Sequence, residues 1–283
     1  MEDGMRMDGK VCVVTGANAG IGRATALALA RMGARVGMVC RSRERGEAAR
    51  EEVARESGGA VDLFLADLSA QAEVRRVAGE IRERYDRLHV LVNNAAVYTK
   101  RRTLSPDGIE LQLAVNHLAP FLLTTLLLDL LVRSAPARVV TVSSGAHRNG
   151  RIVWDDLQGE RRYRGLRAYA NTKLANLLFT RELARRLEDT GVTANAMHPG
   201  VVGTSLLFGG WAPLRLLKPF LRTPEQGART VVHLASSPGV EGVSGRYFQD
   251  EREVQPAPAA LDDEAARRLW RSSAELTGTA APP

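Results

Sequence analysis

A chain of 283 residues, 45% apolar, 25% charged and 5% aromatic, is long enough to bury a substantial core. These proportions exclude disordered, collagen-like and disulfide-rich proteins, and the only two cysteines, Cys12 and Cys40, read as core thiols of a reducing compartment. The formal charge of +7, almost all from arginine, favours anionic partners, but the arginines alternate with glutamates as in Arg43-Glu44-Arg45, which suits solvated helix faces better than a nucleic-acid surface.

Residues 1–10 are polar and carry no secretory pattern. Runs of β-branched residues at 11–15, 35–40, 61–66, 88–92, 138–143 and 193–198 then alternate with amphipathic helical patterns at 20–32, 44–57, 70–85, 107–132 and 168–189. Continuously apolar strands separated by helices predict a parallel sheet covered on both faces, a doubly wound α/β fold. The most apolar run, 118–132, contains Pro120, Thr124, Thr125 and Asp129 and reads as a buried helix, not a membrane span. Residues 201–223, rich in Leu, Phe, Trp, Gly and Pro, suit a lid over an apolar crevice, or else a segment that packs on the domain or on another subunit. A helix at 224–236, a short strand near 245–248 and a helix at 262–276 complete the pattern. With no repeat and no linker, residues 1–283 are expected to form one domain with a C-terminal extension from about 250 to 283.

The first strand runs straight into Thr15-Gly16-Ala17-Asn18-Ala19-Gly20-Ile21-Gly22, where a helix begins. Glycines at such a turn let backbone approach a pyrophosphate, whose charge the helix N-terminus favours. The spacing G-x-x-x-G-x-G is not the standard dinucleotide fingerprint; the position after the first strand is what favours a nucleotide site over a merely tight turn. An NAD site places a carboxylate about 20 residues beyond the glycines. Here Cys40 is followed by Arg41, with Arg43 close by. A guanidinium in place of a carboxylate suits a 2′-phosphate and points to NADP(H), although Arg41 also reads as the start of a solvated helix.

Tyr169 and Lys173 are four residues apart on a strong helical pattern, and so share a face. An ammonium beside a phenol favours phenolate and should lower the tyrosine pKa from about 10. Such a tyrosine exchanges a proton with an alcohol or carbonyl oxygen while hydride moves to or from a nicotinamide. Ser143-Ser144 ends a strand, where this architecture brings hydroxyls to the cofactor crevice.

Together with Asp67-Leu68, Asn93-Asn94-Ala95-Ala96, Asn116 and His198-Pro199-Gly200, these residues give a chain that resembles the short-chain dehydrogenase/reductase family over nearly its whole length. Cys40-Arg41-Ser42, Arg45-Gly46-Glu47 and the run from Asn171 to Phe179 resemble its retinol dehydrogenase-like branch, which includes WW-domain oxidoreductases and similar bacterial proteins. The resemblance implies a Rossmann domain and a catalytic set of Asn116, Ser144, Tyr169 and Lys173. Tyr169 would be the general acid/base, and Lys173 would bind the nicotinamide ribose and depress the tyrosine pKa. Ser144 would bond the substrate oxygen, and Asn116 would hold a relay water. Gly16, Asn18, Gly20, Ile21 and Gly22 would meet the diphosphate or ribose, Asp67 and Leu68 the adenine, and Asn93, with Ala95 beside it, the adenosine ribose. Pro199, Gly200, Val202 and Thr204 would line the nicotinamide, with Val202 orienting its carboxamide. Ala96 stands where the family usually has glycine, so its methyl would tighten the backbone near the cofactor.

The implied activity is NADP(H)-dependent interconversion of an alcohol and an aldehyde or ketone on an apolar substrate, retinal-like, medium-chain or aromatic. The alternative is a nucleotide-binding sensor with the same fold and little catalysis. Relatives suggest a homo-oligomer, dimer or tetramer, through 116–132 and 168–189. Animal members of the branch often carry an N-terminal anchor, whereas here the first strand begins at residue 11, which favours a cytoplasmic protein with at most peripheral membrane contact. His89, His117, His147, His198 and His233 show no metal-ligand spacing, so structural roles are expected and no metal. His147, close behind the serine pair, is the one placed to touch substrate, with a structural role preferred. The basic cluster 161–167 with Tyr163 reads either as a border of the site entrance or as a solvated loop.

Overall fold

In a computed structural model describing residues 6–203 and 221–279, the strands are β1 (Val11–Thr15), β2 (Arg35–Cys40), β3 (Val61–Leu65), β4 (Val90–Asn93), β5 (Ala137–Val142), β6 (Val192–His198), β7 (Tyr247–Gln249) and β8 (Arg252–Glu253). They form one sheet in the order β3-β2-β1-β4-β5-β6-β7-β8, parallel except for the antiparallel β7–β8 pair. Central strands such as β1 and β4 are buried because Val and Leu line both faces.

One face is covered by α1 (Gly20–Arg31), α2 (Arg43–Ser57) and α7 (Pro224–Ser236), through Leu29, Val53 and Leu234. On the other lie α3 (Gln71–Arg84), α4 (Ala119–Leu126), α5 (Leu128–Arg133) and α6 (Gly165–Arg186), through Ile81, Leu122, Leu131 and Phe179. β1 pairs with β2 on one side and β4 on the other, so the chain reverses direction across the sheet between them. That switch point opens a crevice beyond the strand C-termini.

The helix expected over 107–132 is divided. Glu110 caps it, its carboxylate accepting from Gln112 N–H at 3.0 Å and Leu113 N–H at 2.8 Å. A π-helical turn follows at Ala114–Leu118, and the path breaks again at Leu127, between α4 and α5. Residue 120 is proline, so the Asn116 carbonyl has no α-helical N–H to accept from.

The last helix, α8 (Asp263–Thr277), is fixed by its side chains. Trp270 meets Phe121 edge-on at 4.9 Å, stacks with Phe179 at 5.9 Å and lies under the Arg186 guanidinium at 4.6 Å. Buried His117 joins the same contact, its Nε2 2.8 Å from Ser273 Oγ. The α4–α6 face expected to bind another subunit is thus partly occupied by the chain's own α8. No helix of the described residues is long and apolar enough to cross a membrane. Most of the expected lid, residues 204–220, lies outside the described residues, as do 280–283.

Candidate active site

The glycine turn is built for close backbone approach. Gly16 and Gly20 have φ of +66° and +55°, conformations that a side chain disfavours. A Cβ on Gly22 would collide with the Gly16 carbonyl and come within 2.6 Å of Asn94 Nδ2. The N-cap of α1 is Ala19, which offers no side-chain bond, and the first turn carries no acidic residue. The leading N–H groups of α1 therefore retain their capacity for an anion, and the turn fits a dinucleotide diphosphate.

Thr15 and Asn94 hold this turn against β4, and the sequence reading gave neither a role. Thr15 Oγ1 accepts from the N–H groups of Asn94 and Ala95 at 2.9 and 3.0 Å. Asn94 Nδ2 donates back to the Thr15 carbonyl at 2.8 Å. Their signal in the sequence was only adjacency, Thr15 to the glycines and Asn94 to the strand end. Asn93 lies at the end of β4, but it is buried and its Nδ2 donates to Thr124 Oγ1 at 2.9 Å, so its side chain serves the strand–helix contact and not the expected ribose. Ala96 has no positive φ, so alanine there carries no backbone strain.

At the end of β2, buried Cys40 is followed by exposed Arg41, which makes no ion pair among the described residues. Arg43 instead pairs with Glu47 at 3.3 Å, and Ser42 caps α2. Beyond β3, the Asp67 carboxylate accepts from Ser69 N–H at 3.0 Å, and half-buried Leu68 packs against the core. After β6 come Pro199, Gly200 with φ +80°, and buried Val202, whose side chain and that of Ile21 both lie against Gly227 of α7. Thr204 lies outside the described residues.

The proton-handling groups meet where β5 ends against α6. Ser143 Oγ donates to the Lys173 carbonyl at 2.8 Å and is a structural contact. Strand alternation turns Ser144 the other way, where its Oγ accepts from Ala146 N–H at 3.2 Å, leaving its proton to donate. The Tyr169 hydroxyl bonds Ser144, and its ring meets Tyr98 edge-on at 6.2 Å. Lys173 is 2% exposed; its Nζ donates to the Val142 carbonyl at 3.0 Å and stands 5.5 Å from the Tyr169 ring centre.

The expected depression of the Tyr169 pKa is not found. Burial pushes the phenol up to about 12, against an opposing pull from the Ser144 hydrogen bond. Burial also pushes Lys173 down to about 8. The spacing of the pair set their shared face correctly but gave no measure of how little water reaches it.

Asn116 occupies the π-turn with both side-chain polar atoms engaged. Oδ1 accepts from Val97 N–H at 2.7 Å, while Nδ2 donates to the Val97 carbonyl at 3.0 Å and to Thr172 Oγ1 at 3.2 Å. Its backbone carbonyl, freed by Pro120, is the group left for a relay water. Just before the π-turn, Tyr163 donates to the buried Glu110 carboxylate at 2.9 Å and accepts from Gln112 Nε2 at 2.7 Å. The 151–164 loop is thereby tied to the start of the π-turn, with Arg161 paired to Asp155 at 2.5 Å.

The chain is similar to known proteins over nearly its whole length. Residues 10–208 match the family model described as short chain dehydrogenase. The chain is 46% identical over 294 residues to human retinol dehydrogenase 14, covering 96% of this chain and 87% of that one. A crystal structure from Mycobacterium paratuberculosis superposes with a TM-score of 0.81 at 36% identity, covering 99% and 98%. The Pseudomonas aeruginosa RhlG/NADP active-site complex superposes with a TM-score of 0.72 at 27% identity, covering 88% and 97%.

Proposed function

The chain belongs to the short-chain dehydrogenase family and is an oxidoreductase of that kind, and from this premise we propose that it reduces apolar aldehydes or ketones, and oxidises the matching alcohols, with NADP(H). The observation that carries the reading is the meeting of Ser144, Tyr169 and Lys173 at the end of β5, beside the glycine turn. A bound nicotinamide supplies or accepts the hydride.

The chain's own residues govern the oxygen and the proton. In reduction, Ser144 Oγ–H hydrogen-bonds the carbonyl oxygen, and Tyr169 Oη delivers its proton as the negative charge develops there. With its pKa raised to about 12, Tyr169 stays protonated at neutral pH, which suits it as the acid. Lys173 and the Asn116 carbonyl lie on the route by which that proton is replaced. In oxidation Tyr169 is the base, and the neighbouring ammonium is what holds its phenolate.

NADP(H) is favoured over NAD(H) because Arg41 is exposed and unpaired among the described residues where an NAD site would place a carboxylate. The apolar substrate class rests on the composition of 201–223 and on the likeness to a retinol dehydrogenase. Two unpaired buried cysteines accord with a cytoplasmic setting. A sensor without turnover needs Lys173 at most for the ribose and has no use for the Ser144 and Tyr169 hydroxyls bonded to each other beside it. The test is oxidation of NADPH and of NADH with a panel of medium-chain, aromatic and polyene aldehydes. Turnover with NADPH supports the reading; tight binding without turnover across the panel favours the sensor.

A further inference from the structure

We infer that His147 is a positioning residue for Ser144, acting as a clamp that ties the serine turn to the C-terminal segment at Ala257; this rests on the reading of Ser144 as the donor to the substrate oxygen. His147 is 0% exposed and so meets no solvent. Its Nδ1 lies 2.7 Å from the Ser144 carbonyl oxygen, and its backbone N–H donates to the same oxygen at 3.1 Å. Its Nε2 accepts from Ala257 N–H at 3.1 Å.

These partners fix the proton on the ring. A carbonyl can only accept and an amide N–H can only donate, so Nδ1 carries hydrogen and Nε2 carries the lone pair. The tautomer is set, and both nitrogens are used. The ring packs edge-on against Tyr247 of β7 at 5.1 Å, which holds its plane.

The clamp acts on a turn that has little freedom elsewhere. Ser144 is the N-cap of the 3₁₀ turn Gly145–Asn149. The next residue, Gly150, lies so close to α6 that a Cβ would approach the Ala170 carbonyl at 2.6 Å and Leu174 Cβ at 2.8 Å. One end of the turn thus rests on the helix that carries Tyr169, and the other is held through the Ser144 carbonyl. Both donors to that carbonyl come from His147. Without the imidazole donor, the Ser144 carbonyl keeps only the longer bond from the His147 backbone N–H, and its peptide can tilt and swing Oγ away from the Tyr169 hydroxyl. The Ala257 bond makes the C-terminal extension part of the support of the reaction centre, although it lies 113 residues further along the chain than Ser144.

Three substitutions separate the two halves of the clamp. In His147→Asn the amide N–H₂ sits where Nδ1 was and can still serve Ser144, but nothing reaches Ala257. In His147→Gln the longer amide reaches Ala257 with its oxygen and cannot serve Ser144. His147→Phe fills the space and serves neither. The readouts are kcat and KM for an aldehyde reduced by the wild type, Kd for NADPH, and thermal midpoint. Loss of serine alignment should lower kcat about 10²-fold in the Phe and Gln variants, with NADPH affinity within about twofold. His147→Asn should recover kcat to within about fivefold of wild type, even if its thermal midpoint falls as far as that of His147→Gln. Equal losses in Asn and Gln that track thermal stability, or no loss in any variant, would overturn the assignment. If the wild type reduces no aldehyde, the functional reading fails separately. Crystal structures of the Phe and Gln variants then decide the clamp: Ser144 Oγ displaced from Tyr169 supports it, and an unmoved Ser144 rejects it.

Discussion

Lys173 donates to the Val142 carbonyl at 3.0 Å from a site where it has no carboxylate partner among the described residues. Burial lowers its pKa from 10.5 to about 8, so between those values the folded protein binds fewer protons than the unfolded chain. Its contribution to stability therefore rises with pH across that window, and below it the folded state carries a buried charge costing roughly 3 kcal/mol. Tyr169 acts in the opposite sense: raised from 10.0 to about 12, it favours the folded state until pH climbs through that range. Lys173→Met should abolish turnover yet stabilise the protein at pH 7 by up to about 3 kcal/mol in urea denaturation. The difference from wild type should shrink as pH rises from 8 to 10.5. A variant that is less stable than wild type at pH 7 would show the amine to be a net structural asset.

Gly22 allows α1 to begin against the Gly16 carbonyl, a contact that one methyl group prevents. Gly22→Ala must push the turn away from Asn94 and misalign the N–H groups that would receive the diphosphate. Affinity for NADPH, read by quenching of protein fluorescence, should fall at least about tenfold, equivalent to roughly 1.4 kcal/mol. Unchanged affinity would mean that the phosphates do not lie on this turn.

Arg41 tests the choice of cofactor. A charge-assisted bond to a 2′-phosphate contributes about 1.5–3 kcal/mol, so Arg41→Ala should raise KM for NADPH about tenfold to a hundredfold and leave NADH nearly unaffected. Arg41→Asp should reverse the preference. If it still prefers NADPH, the 2′-phosphate is held elsewhere.

The parts of this molecule that local sequence determines were legible in it. β1 and β2 follow short valine-containing apolar runs and lie where those runs predict, as does α7, which Pro224 opens. The segment 107–132 was read as one helix because its apolar spacing is continuous, but two of its features arise from distant partners. Asn116 is drawn into a π-turn by bonds to Val97, and Glu110 is held both as a cap and as the acceptor for Tyr163. The choice of Ser144 over Ser143, which rested on family resemblance, has its physical reason in the strand alternation that gives Ser143 to the Lys173 carbonyl. The Tyr169 pKa was misjudged because proximity of charge can be read from spacing, whereas desolvation depends on everything packed around it. The contact of α8 with α4 and α6, made by Trp270 across a long stretch of chain, had no local signal.

The most direct test of the account is the rate of NADPH oxidation by Tyr169→Phe at saturating aldehyde, measured alongside its affinity for NADPH. Removing one hydroxyl leaves the ring contact with Tyr98 in place and takes away only the proton source. The account predicts unchanged NADPH binding and a kcat lowered by about 10²–10⁴-fold across pH 6–9. A kcat within about threefold of wild type would contradict it, because the proton would then come from another group.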